Sequence, residues 1–442
     1  MAAGHSDWPP TQVPYRTLGV PAAAWGVMAL LVVLGAAAFL MGLGGEDHGE
    51  RAWHAFHFNW LFWSSVAMGM VVFSMSLHIT NSRWSWSLRR FALAGSAFLP
   101  LSFVLFLAIW GGSHTYFHHW LGEGLIDADP ILHEKAAWLS LPGMIARDTI
   151  GVAILYALGL WFTYHMLRPD LHGIKGPGIC QRFTGGWRGA TAEAQRSRRI
   201  ALRIAPVACI LFALVWGLVA IDQGMTMLPH WFSTMFPVTF LVSSFHSAIA
   251  MTALLTVVFR KRMRLEEYIT STSFHDIGKL VFAYAVFWMY VNWSQYVVIW
   301  YGLLPHEQEW FVLRFKAPFA GLVQLAVGCI FVIPFFFLLT RPPKKVPAFL
   351  GFVAAIVLFG HWLERFLITV PSVWEHDHLP MGITEIGVAL GFAGLFFGSV
   401  LWFLKTFPIL PSPASLAAIP NPVLTVQVPV RTTAARPATG QA

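Results

Sequence analysis

The sequence predicts an all-α integral membrane protein of about ten transmembrane helices, and three observations carry that prediction. Of the 442 residues, 57% are hydrophobic and only 11% charged, against about 45–50% and 25% in an ordinary soluble domain. Ten segments reach the ~20 apolar residues that cross a hydrocarbon core about 30 Å thick. They are 21–43, 55–79, 91–111, 141–165, 200–222, 233–259, 276–302, 316–340, 347–370 and 383–404. The third observation is the placing of charge. With both termini on the cytoplasmic side, 23 of the 29 lysines and arginines fall in loops on that side, as the positive-inside rule requires. The formal charge of +8 is therefore a topology signal and not a nucleic-acid footprint. The short alternating strands of an outer-membrane barrel are absent.

Residues 1–54 read as an N-terminal segment and a retained first helix, since no small-residue cleavage site follows a short apolar core. Residues 55–222 and 223–370 read as two four-helix bundles, helices two to five and six to nine. A weak parallel repeat supports the division. Ser64-Ser65 matches Ser243-Ser244 in mid-helix, IWGG at 109–112 matches IWYG at 299–302, and MLRP at 166–169 matches LTRP at 339–342. Helices one and ten, the latter within 371–407, would lie outside the bundles. The Pro-, Ala- and Thr-rich stretch 408–442 reads as an extended or disordered cytoplasmic tail. Cys180, Cys209 and Cys329 are far apart and fit no CxxC or CxxCH pattern, so no disulfide framework, iron–sulfur cluster or covalent haem is encoded.

The chemistry concentrates in the outer half of the predicted spans. Arg147 and Asp148 lie about 10 Å below the outer end of helix four and point about 100° apart, so each needs a partner on another helix. Asp222, Glu364, Arg365 and Glu385 stand at comparable depth in helices five, nine and ten, with His361 on the same face as Glu364 and Arg365. Ionisable groups at such depth mark a proton, ion or substrate path, or else a set of structural ion pairs. His246, in the middle of helix six, reads first as a hydrogen-bonded core histidine; with His361 it forms the one pair that b-type haem could use. Tyr290, Asn292 and Gln295 of the polar, aromatic helix seven could line a hydrated path or quinone pocket, or bond between helices. The external histidines His114, His118, His119 and His133 read as a wet docking loop, and no metal site is expected.

Three segments resemble one family. HEKAAWLSLPGMIARD (133–148), WSQYVVIWYGLLPHEQEW (293–310) and ITEIGVALGFAGLFF (383–397) are similar to the NrfD-like polytopic subunits of membrane quinol oxidoreductases, and closest to the ActF subunit of bacterial alternative complex III. The likeness runs from helix two to helix ten. It implies ten spans in two four-helix bundles, in the inner (cytoplasmic) membrane of a bacterial cell with both termini cytoplasmic. It also implies work in respiratory or photosynthetic electron transport beside a sister NrfD-like subunit, an extracytoplasmic iron–sulfur protein and multihaem and monohaem cytochromes c, with lipid around them. Haem c and the clusters would belong to those partners, none to this chain. Quinol oxidation in the family is attributed chiefly to the sister subunit, although quinol binding here stays open. On this footing the expected role is an anchor contributing a proton-translocation path, with Arg147, Asp148, Asp222, Glu364, Arg365 and Glu385 as its outer half and His246 and Tyr290 as middle relays. A quinol-binding catalytic subunit, a secondary transporter and a purely structural anchor are the alternatives.

Overall fold

The structure, a computed structural model, describes residues 10, 12–45, 49–173 and 178–420. Among them there is no strand, and ten long helices organise the chain. They are α1 (Ala22–Leu43), α2 (Glu50–Ile79), α3 (Arg89–Tyr116), α4 (Leu141–Leu167) and α5 (Ala190–Gln223). The second half supplies α6 (Phe236–Arg262), α7 (Ser271–Gly302), α8 (Ala320–Leu338), α9 (Pro347–Thr369) and α10 (Ile383–Thr406). Nine of these are long and apolar enough to cross a membrane. The exception is α7, whose 32 residues span about 48 Å but carry Asn292, Ser294 and Gln295 among aromatics.

Helices α2 to α5 pack together, as do α6 to α9, while α1 and α10 pair with each other and rest on α2. Polarity explains which helices sit inside. The most apolar stretch of α2 still includes Ser64, Ser65 and Ser74, has a mean hydropathy of only 1.5, and is 94% buried between the two bundles. The α1 stretch has a mean hydropathy of 2.5, no polar group to satisfy, and is 11% buried. A helix whose side chains need hydrogen bonds is driven inward, because lipid supplies none. The two halves meet where α2 crosses α6 at Gly69. A Cβ there would stand 2.7 Å from the Ser244 carbonyl oxygen, so only glycine permits the approach.

The peripheral pair uses the same device. Gly35 of α1 faces Gly391 of α10, and Ala38 faces Gly387, a small-residue seam that lets two backbones touch where no hydrophobic effect can drive them together. On α8, five residues, Gly328–Val332, widen into a π turn just before Pro334, which absorbs the proline without breaking the helix.

One end of the molecule is rich in basic residues, and several of these have work beyond marking topology. Arg90 donates to the carbonyls of Pro408 (2.6 Å) and Leu410 (3.1 Å) and pairs with Asp170. Arg168 pairs with Glu193 at 2.8 Å and donates to the Phe183 and Gly185 carbonyls. Lys344 donates to the Leu338 carbonyl at the end of α8 (2.8 Å). Cations placed on the last carbonyls of a helix satisfy groups the helix itself cannot.

The start of the expected free tail is docked at this end instead. Ile409, Leu410 and Leu416 are buried, residues Pro413–Ala417 form a helical turn, and Asp170 accepts from Ser412 N–H (2.9 Å) and Ser415 Oγ–H (2.6 Å). Apolar residues at 409, 410 and 416 give this stretch a face to bury, which its proline content masks in the sequence. The remainder of that expectation, residues 421–442, lies outside the described residues. The two terminal segments meet here, through Leu18 N–H to the Leu404 carbonyl (2.8 Å) and Ile409 N–H to the Arg16 carbonyl (2.9 Å).

Replacing Gly391 by valine should force α1 off α10, since even the Cβ would stand 2.8 Å from the Gly35 Cα. The expected cost is of the order of overpacking, about 1–3 kcal/mol, read as a lower melting temperature of the chain in detergent. Gly398→Val, whose nearest neighbour is the Met28 Cβ at 3.8 Å, should cost much less.

Candidate functional site

The intramembrane charges expected to form one set fall into three separate groups. In the first bundle, Arg147 of α4 grips Asp222 of α5 with two nitrogens, Nε to Oδ2 at 2.5 Å and Nη2 to Oδ1 at 2.8 Å. Trp138, in the loop before α4, donates its indole N–H to Asp222 Oδ1 (2.9 Å), and its ring lies under the guanidinium at 4.2 Å. Asp222 is fully buried and Arg147 partly exposed, so the pair is anchored on the carboxylate side.

Asp148 points away from Arg147, as the helical turn requires, and is fully buried beside the Asp222 carboxylate. Its Oδ2 accepts from the Gln223 amide (2.9 Å), whose Oε1 meets His57 Nε2 of α2 at 3.1 Å. The His57 ring is stacked on Tyr116, centroids 4.4 Å apart. His57 and Gln223 were not singled out in the sequence. The signal was available: a histidine and an asparagine, His57 and Asn59, inside a predicted span.

The second group occupies the other bundle. His246 Nδ1 of α6 meets His361 Nε2 of α9 at 3.0 Å, and His361 Nδ1 meets Glu364 Oε2 at 2.8 Å. Glu364 Oε1 accepts from the indole N–H of Trp288 on α7 (2.7 Å) and lies 2.9 Å from Ser243 Oγ on α6. Three helices thus supply donors to one carboxylate, and every member is buried. An ionised Glu364 takes the proton of His361 Nδ1, which leaves His361 Nε2 to accept from His246.

Arg365 stands at the edge of the group. Its Nη1 is 3.8 Å from Glu364, its Nη2 donates to Ser244 Oγ (3.0 Å), and its guanidinium covers the Phe240 ring at 3.8 Å. The two imidazoles touch directly and at right angles, so they cannot serve as the axial haem pair considered from the sequence; no iron fits in line between nitrogens already sharing a hydrogen bond.

Glu364 opens on a cleft of about 400 Å³ between α7, α8, α9 and the helix Pro305–Phe315. Its walls are apolar and aromatic, including Trp288, Tyr296 and Trp310, and its polar groups are Glu364, Thr239, Gln295, Asn292 and Arg314. Arg314 is held in place by the carbonyls of Trp310 (2.8 Å), Leu367 (2.7 Å) and Ile368 (2.7 Å) and by Ser372 Oγ (2.7 Å), and its guanidinium stacks on Trp310 at 3.7 Å. It secures the α9 end that carries Glu364. A pocket of this size and lining fits a small, largely apolar molecule oriented by a few polar contacts.

Two expected members lie elsewhere. Glu385 forms a bidentate pair with Arg51, both contacts at 2.8 Å, and its Oε2 accepts the Gly382 N–H at 2.7 Å, so it fixes the start of α10. Tyr290 is 65% exposed on the outward face of α7 and is no middle relay. The buried face of α7 runs Val281, Ala285, Trp288, Val291, Gln295 and Ile299, and position 290 is on the opposite side of that stripe.

At the basic-poor end, loop residues 117–138 are tied down by Trp120 N–H to the Thr226 carbonyl (3.0 Å) and Lys135 to the Pro229 carbonyl (2.7 Å). Hydrogen bonding to His230 holds the Asp129 carboxyl below its ordinary range, and partial burial pulls the His119 imidazole down. Of the four external histidines, the loop brings His118 and His119 together, their ring centroids 4.1 Å apart.

This is a polytopic membrane protein, with a buried polar network in each bundle and an aromatic cleft beside the second. Comparison with protein-family models and with curated proteins finds no match to the chain.

Truncating Arg147 to alanine should leave Asp222 buried with the Trp138 indole as its remaining strong donor. Breaking a buried pair from one side costs about 3–5 kcal/mol. Arg147→Ala should therefore melt well below the parent in detergent, and Arg147→Ala combined with Asp222→Asn should recover part of the loss.

Proposed function

We propose that this chain is the NrfD-like, ActF-type polytopic subunit of an alternative complex III, a quinol:electron-acceptor oxidoreductase, and that it anchors the complex and carries protons through its second bundle. The three sequence segments that resemble that family support the assignment, as does the grouping of ten helices into two sets of four with an outer pair. The observation that carries the proton role is the buried chain Glu364, His361, His246, linked at 2.8 and 3.0 Å and open to the cleft at its Glu364 end. Each member can hold or pass a proton, since imidazole can both donate and accept a hydrogen bond through its two nitrogens.

In this reading a proton enters or leaves at Glu364 and moves between α9 and α6 by exchange of donor and acceptor along the two imidazoles. Electrons pass through the partner subunits: the sister polytopic subunit, the extracytoplasmic iron–sulfur protein and the cytochromes c. Trp288 and Ser243 keep Glu364 oriented without supplying a full counter-charge, so its proton can be exchanged. Asp148, with Gln223 and His57, is a second chain in the first bundle, with an amide as its middle member.

The cleft favours one further reading within the same complex, that it admits a quinol headgroup. Aromatic walls would stack the ring, while Glu364 and Gln295 stand where hydroxyls could be bonded. A photoreactive quinone probe that labels α7 or α8 peptides in the assembled complex would support it, and labelling of the sister subunit alone would remove it.

Co-purification decides the assignment: a tagged chain in mild detergent should bring down a second polytopic subunit, an iron–sulfur protein and c-type haem. Glu364→Gln keeps the shape and the Trp288 contact but removes the exchangeable carboxyl. In the assembled complex it should lower the protons moved per electron severalfold with electron transfer retained. An unchanged ratio would overturn the proton role. Asp148→Asn should assemble normally, and a drop in its ratio would add the first bundle to the path.

A further inference from the structure

The loop that closes the first bundle and the loop that follows α9 meet at the basic-poor end, and three metal-ligating side chains come together there. One nitrogen each from His118 and His119 and one carboxylate oxygen of Glu375 all lie within 4.8 Å of one another. His118 Nε2 is 3.8 Å from Glu375 Oε1. The decisive feature is what the other ring nitrogens do. His118 Nδ1 lies 3.1 Å from the Thr115 carbonyl, and His119 Nε2 lies 3.0 Å from the Ser372 carbonyl. A carbonyl can only accept, so each ring gives it an N–H, and the remaining nitrogen of each ring is left with a free lone pair. A ligating histidine whose second nitrogen donates to a backbone carbonyl is the usual outer arrangement of a metal site, since it fixes tautomer and ring orientation together.

We propose that His118, His119 and Glu375 form a binding site for a divalent cation of the zinc class. Two imidazoles and a carboxylate are a ligand set Zn²⁺ accepts, with a fourth position for water or a further group. The ion would clamp residues 118 and 119, beyond α3, to residue 375, beyond α9, and so join the two bundles at this end. Nothing in this inference depends on the proposed electron-transfer complex.

The test uses the full chain, purified with a tag free of histidine, stripped with chelator and titrated with Zn²⁺ against a chromogenic competitor. One equivalent should bind at micromolar concentration or tighter. His118→Ala and Glu375→Gln should each weaken it at least tenfold, while His133→Ala, at a histidine paired with Asp127 and outside the cluster, should leave it unchanged. Zn²⁺ should raise the melting temperature of the parent chain and not of Glu375→Gln. Glu375 is exposed, so that variant keeps the fold and serves if His118→Ala does not purify. Absence of a stoichiometric site in the parent, or equal affinity in the parent and Glu375→Gln, would overturn the proposal.

Discussion

Hydrocarbon offers no hydrogen bond, so every polar group placed at membrane depth must find its partner inside the protein. That constraint sorts the helices of this chain. The α2 helix brings His54, His57, Asn59, Ser64 and Ser65, and α6 brings Ser243, Ser244, His246, Thr252 and Thr256; these two make the most extensive contact between the bundles. Hydroxyls that find no cross-helix partner bond back to their own helix, as Thr252 does to the Ala248 carbonyl and Thr256 to that of Thr252. The apolar stretch of α1 has no polar side chain to satisfy and stays outside, held to α10 largely through close contact at small residues. The serine pairs of the internal repeat share a role as well. Ser65 accepts from Trp216 on α5 and Ser244 from Arg365 on α9, each the fourth helix of its own bundle.

The same constraint separates the two ionic groups by what they can do. Arg147 does not give up its proton, and it holds Asp222 with two charge-assisted bonds over a tryptophan face. The pair holds α4 against α5 through a guanidinium bound at both carboxylate oxygens. The group around Glu364 is built differently. Its nearest cation, Arg365, stands 3.8 Å away and spends its donors on Ser244 and the Phe240 ring, while the carboxylate is held by neutral donors and an imidazole. The carboxylate there faces an imidazole in place of a paired guanidinium, and the proposed proton role rests on that difference.

How much of this the sequence carries follows from the same physics. Span positions and the sidedness of the basic residues depend on composition over twenty residues, and they survive without any knowledge of packing. That the deep charges would seek partners on other helices was equally legible, and His361 with Glu364 was readable from their i, i+3 spacing. Which helix supplies each partner was not legible. Asp222 and Glu364 lie at similar depth, yet one meets Arg147 and the other His361, because the choice depends on helix rotation and neighbour order. Tyr290 shows the limit most clearly: its position along α7 does not fix its face, and a rotation of α7 set by the Val281, Ala285, Trp288 stripe turned it outward. His118 and Glu375 are separated by more than half of the chain, so no spacing rule could have joined them.

The structure also places the loop surface and the cleft in mechanical contact. Ser372, just beyond α9, accepts from His119 at its carbonyl and from Arg314 at its hydroxyl. Arg314 lines the cleft and holds the carbonyls of Leu367 and Ile368, one turn beyond Glu364. Three hydrogen-bonded residues therefore span from the external histidines to the wall of the pocket, with no solvent gap between them. Because α9 carries both His361 and Glu364, the proposed proton chain shares its helix with residues bonded to this surface loop.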